Sequence, residues 1–184
     1  MKIFIKKLNI SLYLILVVGL FLSCLTNSSS AQTPMDEPTL KTKLSEVLGD
    51  KSSWNPAVVK DLKRGLSCEE VKKIYTTIDT CDPTASKEQN GLFSKVVKVA
   101  GHPLIEKYRF AFDQGKLTTV GITFYDSLDK ELFKKVSLEL GEAKWGPLAP
   151  EKKGDDLLTW ISGVAFVQRH FLLNRWMFLI ELPK

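Results

Sequence analysis

Two histidines, three cysteines and a few acidic pairs are the side chains of this sequence whose chemistry goes beyond packing. Imidazole serves as general base or metal ligand only where a nucleophile, an orienting acid or further ligands converge on it. His102 stands in a Gly101-His102-Pro103 turn, and His170 alternates with Gln168 and Leu172 along an extended run. Each therefore reads as a polar residue satisfied by its own neighbourhood. The chain holds no His-x-x-x-His, Gly-x-Ser-x-Gly or Cys-x-x-Cys, and no glycine-rich phosphate loop. Glu69-Glu70 suits the first turn of a helix, and Asp155-Asp156 falls in a loop. Adjacent carboxylates are not the separated pair that cleaves glycosides. No His or third Cys lies near Cys68 and Cys81 to complete a metal site. The expectation is a protein without catalytic residues, metal or cofactor.

The cysteines and lysines speak to compartment instead. Lys2, Lys6 and Lys7 precede an apolar run from Ile10 to Leu22, 13 residues long. That is shorter than the roughly 20 residues a membrane-spanning helix needs, and it has the layout of an export signal over residues 1–23. The formal charge of +5 and the pI of 9.0 owe much to those lysines; without them the charge is +2. A mixed surface of that kind offers nucleic acid no basic stripe. In an oxidising compartment Cys68 and Cys81 form an even pair once Cys24 is modified or removed. A bridge between them would close a loop of about 14 residues, worth on the order of 3 kcal/mol. Its reach is tight. A helix from Cys68 to Thr77 advances about 13 Å, and the four residues on to Cys81 return at most about 13 Å. The Cα atoms must come within about 7 Å, so paired and free thiols both stay open.

The elements that position these residues centre on Tyr108 to Tyr125. Tyr108, Phe110 and Phe112 alternate with Arg109, Ala111 and Asp113, a half-buried strand. Asp113-Gln114-Gly115-Lys116 makes the turn, and Val120, Ile122 and Phe124 return. A lone hairpin is marginal in water, so the remaining chain has to cover its apolar face. Upstream, residues 24–37 read as a flexible tether, and Leu40 to Leu48 as a helix stopped by Gly49. Asn55-Pro56 opens a second helix through Lys63. Ser67 and Glu70 form a capping box for a third, with Val71, Ile74, Tyr75 and Ile78 on one side. Thr80 to Gly91 is a loop, and Phe93 to Val99 a strand. After the hairpin, Ser127 caps a helix with Leu128, Leu132, Val136 and Leu140 inward, ended by Gly141. Lys144 to Asp156 forms a second loop. Strands follow over Leu157–Ile161 and Val164–Leu173, separated by a Ser162-Gly163 turn, and a last one carries Trp176, Phe178, Ile180 and Leu182 on its apolar side. The expected fold is α+β: an antiparallel sheet of about six strands with helices on one face. The pattern divides into two tandem helix-plus-three-strand modules, 38–126 and 127–184.

Phe21-Leu22-Ser23-Cys24 resembles the lipobox of bacterial lipoproteins. That resemblance implies a Cys24 that is diacylated and becomes the mature N-terminus. Cleavage after Ser29-Ser30-Ala31 is the alternative, and it would leave a soluble periplasmic protein. Lys63-Arg64-Gly65-Leu66-Ser67-Cys68-Glu69-Glu70-Val71 resembles the helix-opening motif of the BamE (SmpA/OmlA) family of outer-membrane lipoproteins. Phe110 to Leu117 resembles the aromatic strand and Gly-Lys turn of that family, and the doubled arrangement is similar to β-lactamase inhibitory protein. What these resemblances imply is a non-enzymatic module of the cell envelope that binds other proteins.

Trp145 and Trp160 are candidate partner-binding residues, because tryptophan is enriched at interaction hot spots; both also suit the core beneath the long loops. Arg169 and Arg175 are expected to share one sheet face, and Met177 and Leu179 to lie opposite the Trp176 stripe. Helices on one face only would leave those two in an exposed apolar patch. The reading is an exported lipoprotein, anchored to an outer or other envelope membrane through Cys24, that binds an envelope protein. A binder of a small apolar ligand or lipid is the alternative, motivated by ten phenylalanines.

Overall fold

A computed structural model describes residues 35–81, 92–149, 157–162 and 165–183. The export signal, Cys24, the tether up to residue 34, Asp155-Asp156 and the Ser162-Gly163 turn therefore lie outside the described structure or reach past its edge. Within it, three α-helices and six strands form an α+β fold. Helix α1 spans Glu37–Leu48, α2 Cys68–Ile74 and α3 Lys130–Trp145. The strands are β1 Leu92–Lys98, β2 Ile105–Asp113, β3 Lys116–Phe124, β4 Leu157–Ser162, β5 Ala165–Leu172 and β6 Arg175–Glu181. All pairings are antiparallel, in the order β1-β2-β3-β6-β5-β4. Two three-stranded meanders thus meet where β3 pairs with β6.

The central hairpin turns through Gln114 and Gly115, both at positive φ. Its inward residues Phe110, Phe112, Val120, Ile122 and Phe124 are fully buried, and so is Phe178 on β6. Burial of each such side chain is worth roughly 1.5–3 kcal/mol, so this face holds the sheet and helices together. Leu40, Leu44, Val47 and Leu48 of α1 and Phe133 and Val136 of α3 cover it. Phe133 lies 4.8 Å from Phe124 and stacks 5.4 Å from Trp176.

Four helix expectations need correction, some for a local capping contact and some for a tertiary one. The α1 helix starts at Glu37, since Asp36 caps it by accepting from Thr39 N at 3.0 Å; the tether stops before it, and Met35 packs on the core. No helix runs from Asn55 to Lys63, only a 3-10 turn at Ala57–Val59. Asn55 does not cap it: its Nδ2 donates to Leu62 O at 2.8 Å, bracing the loop from inside. The α2 capping box forms, with Ser67 N donating to Glu70 Oε2 at 2.7 Å and Glu70 N to Ser67 Oγ at 3.3 Å. However, α2 ends at Ile74, where Tyr75 turns away to lie 4.7 Å from Phe110. Ending early resolves the reach problem, and Cys68 and Cys81 are bridged with their Cα atoms 5.7 Å apart.

The fourth correction concerns α3. Asp129, not Ser127, caps it by accepting from Leu132 N at 2.7 Å. Gly141 does not end it, for the helix continues to Trp145 and Gly146 stops it at φ 85°. Phe133, Val136, Ser137, Gly141 and Trp145 are the buried residues, so Val136 lies inward as expected, while Leu128, Leu132 and Leu140 are only partly buried. Gly141 is there for space. A Cβ on it would come 2.4 Å from Trp160 Cζ2.

Candidate binding face

Each strand has a second side that the helices leave uncovered. Across the central strands the register places Arg109, Gly121, Leu179 and Gln168 in one row. Lys107, Thr123, Met177 and His170 make the next row. Apart from Gln168, these residues together with Leu172, Leu173 and Arg175 line a concavity of about 380 Å3. Its depth comes from β3, where Gly121 has no side chain and Thr123 a small one. Long side chains stand on either side, from β2 and from β6.

The charges of this face are unevenly committed. Arg175 forms an ion pair with Glu106 and lies 3.8 Å from Asp126. Lys107 Nζ is 3.9 Å from Glu106. Arg109 is exposed, and its guanidinium meets no carboxylate among the described residues. His170 Nε2 lies 3.1 Å from Gln168 Oε1, and burial pushes its pKa below the ordinary imidazole value. It is therefore a neutral hydrogen-bonding group at neutral pH. At the mouth, the turn between β5 and β6 holds Leu173 at φ 51° and Asn174 at φ 59°. Asparagine tolerates that conformation; leucine rarely adopts it, at a cost on the order of 1 kcal/mol. Leu173 is nonetheless 87% exposed and Leu172 56%.

The expected partner-binding residues divide between the two faces. Arg175, Met177 and Leu179 are on the uncovered one. Trp160 and Arg169 are fully buried, and Trp145 is 9% exposed, so these three are corrected to core positions. Trp145 Nε1 donates to Trp54 O at 2.9 Å, and its ring is 5.3 Å from that of Trp160. Arg169 Nη1 donates to Lys134 O at 2.7 Å and Ser137 Oγ at 2.8 Å, with Cζ 4.6 Å over the Trp176 ring. Arg169 thus fastens α3 to the sheet, and it does not share a face with Arg175. The two-residue turn Leu173-Asn174 pairs Leu172 with Arg175 and Arg169 with Phe178. Odd positions on β5 therefore share a face with even positions on β6.

Sequence reasoning missed Lys107, Arg109, Gly121 and Thr123. Alternation already placed Arg109 opposite Phe110, but the row it completes depends on the β2–β3 and β3–β6 registers. The other histidine is accounted for locally: His102 Nδ1 accepts from Leu104 N at 3.0 Å and Ile105 N at 2.9 Å. Burial holds its pKa below the ordinary value, against a smaller opposing influence from Glu46.

Fold and face define a class: an α+β protein whose sheet is covered on one side and presents a grooved, partly cationic surface on the other. No family model, curated protein or solved structure matches the chain.

Proposed function

We propose that this chain is an exported lipoprotein, anchored to an envelope membrane through Cys24, whose α+β domain binds a protein partner through its uncovered sheet face. The observation that carries the reading is the groove of about 380 Å3, which places Met177 and Leu179 beside an exposed Arg109, with two exposed leucines at its mouth. Exposed apolar groups rimmed by charge mark interaction surfaces. The lipobox-like Phe21-Leu22-Ser23-Cys24 supports the anchor, and the likeness to BamE-type lipoproteins supports an outer-membrane setting. Two meanders meeting at β3 and β6 support the reading of two tandem modules in one shared sheet. No catalytic role, cofactor or nucleic-acid partner belongs to this proposal. A small apolar ligand or lipid is the second reading, favoured by the groove volume, which lies within the range of ligand sites.

The experiment is photo-cross-linking in intact cells from a photoreactive residue at position 173, with position 74 on α2 as control. One discrete protein adduct from 173 and none from 74 is the expected result. Equal labelling from both positions would remove the protein-binding reading. Mass spectrometry of the mature N-terminus tests the anchor, which predicts a diacylated Cys24; an unmodified Gln32 would overturn it.

A further inference from the structure

Along the two rows that cross β3, the uncovered face sorts its side chains by strand, while Arg175, further along β6, is taken up by Glu106. Lys107 and Arg109 stand on β2, Met177 and Leu179 on β6, and only Gly121 and Thr123 between them on β3. A channel therefore runs along β3 with a basic wall and an apolar wall, about two strand spacings or 9–10 Å apart. Along each wall the side chains repeat every second residue, about 6.6–6.8 Å. An extended polypeptide has the same repeat, and it sends alternate side chains to opposite sides. A backbone seated over Gly121 and Thr123 would send one set toward β2 and the other toward β6.

We propose that this channel takes an extended segment of a partner protein in which acidic and apolar residues alternate. Carboxylates meet Arg109 and Lys107, while the apolar residues pack on Leu179 and Met177. The proposal rests on the reading that the uncovered face binds a protein, and it names the chemistry of what binds. Charge complementarity chooses the acid. Glu106 already engages Arg175 and approaches Lys107, whereas Arg109 meets no carboxylate among the described residues. An incoming carboxylate therefore finds its main partner in Arg109, whose planar fork suits bidentate pairing. Gly121 supplies the floor. A Cβ there would lie 3.4 Å from Arg109 Cβ and enter the space the segment needs.

The test uses the whole exported domain and the hexapeptide acetyl-Glu-Leu-Glu-Leu-Glu-Leu-amide, followed by the Met177 methyl resonance. Its controls are a peptide of the same composition with three Glu before three Leu, the Lys-Leu alternating peptide, and dodecanoate. The alternating acidic peptide is expected to shift Met177 saturably and to bind at least about tenfold more tightly than the block peptide, the scale of one charge-assisted contact. Arg109→Glu is expected to abolish that binding and to confer binding of the Lys-Leu peptide. Gly121→Val fills the channel without altering charge and is expected to abolish both. Thermal unfolding of the two variants checks that each remains folded. Equal shifts from the block peptide or dodecanoate overturn the proposal, as does acidic-peptide binding that survives Arg109→Glu. If the peptide fails while position 173 still cross-links one protein, only the segment chemistry falls. If both fail, the binding face falls with it.

Discussion

At the scale of single residues, two positions show contact geometry overriding local preference. Gly141 lies inside α3, where alanine would gain about 1 kcal/mol of helix propensity. The 2.4 Å approach of a Cβ to the Trp160 ring reverses that sign. Gly141→Ala should destabilise the domain by about 1–3 kcal/mol, the usual cost of overpacking, read from urea unfolding midpoints. Adding Trp160→Phe should recover part of that loss, whereas simple additivity would place the clash elsewhere. His102 carries the second prediction. Its folded pKa lies below the ordinary 6.5, so the unfolded chain binds the proton more readily. Stability should be complete above about pH 6.5 and decline as pH falls toward the folded pKa. His170 is shifted the same way and adds to the decline. His102→Asn, whose amide oxygen can accept from Leu104 and Ile105, should reduce the slope between about pH 7 and 5 in urea titrations.

At the scale of elements, α2 and its bridge make one unit. The disulfide joins the first residue of α2 to the chain just after it, over a sequence separation of 13. Cys68→Ser with Cys81→Ser should cost about 2–4 kcal/mol in thermal or urea unfolding. Ser67→Ala, which breaks the capping box, should cost about 1 kcal/mol. Strands were the most legible elements, because alternation in Tyr108-Arg109-Phe110 and Trp176-Met177-Phe178 fixes both extent and face. Helix ends were less so, since competing local caps such as Asp36 and Asp129 and tertiary contacts together decide them. Tyr75 leaves α2 to meet Phe110, Asn55 turns inward to Leu62, and Gly141 accommodates Trp160. Of the five buried residues of α3, apolar spacing made Val136 legible as inward, while Ser137 and Gly141 carry no apolar signal. Of the candidate binding face, Arg175, Met177 and Leu179 were readable from one strand's alternation. Lys107, Arg109 and Gly121 needed three strands in register, which sequence spacing does not supply.

At the scale of the molecule, the sheet is two-sided by design of its sequence. One side is aromatic and closed by α1 and α3. The other is mixed, grooved along β3 and bordered by exposed leucines at the β5–β6 turn. That asymmetry supports the proposed binding role, and the proposed anchor at Cys24 would hold the domain at an envelope membrane. Carbene footprinting in intact envelopes, compared with the purified domain, tests this most directly. The account predicts protection of Leu172, Leu173, Met177 and Leu179 in the envelope, with Ile74 on α2 labelled alike in both. Identical labelling of the four in both samples, or protection confined to the helical side, would contradict it.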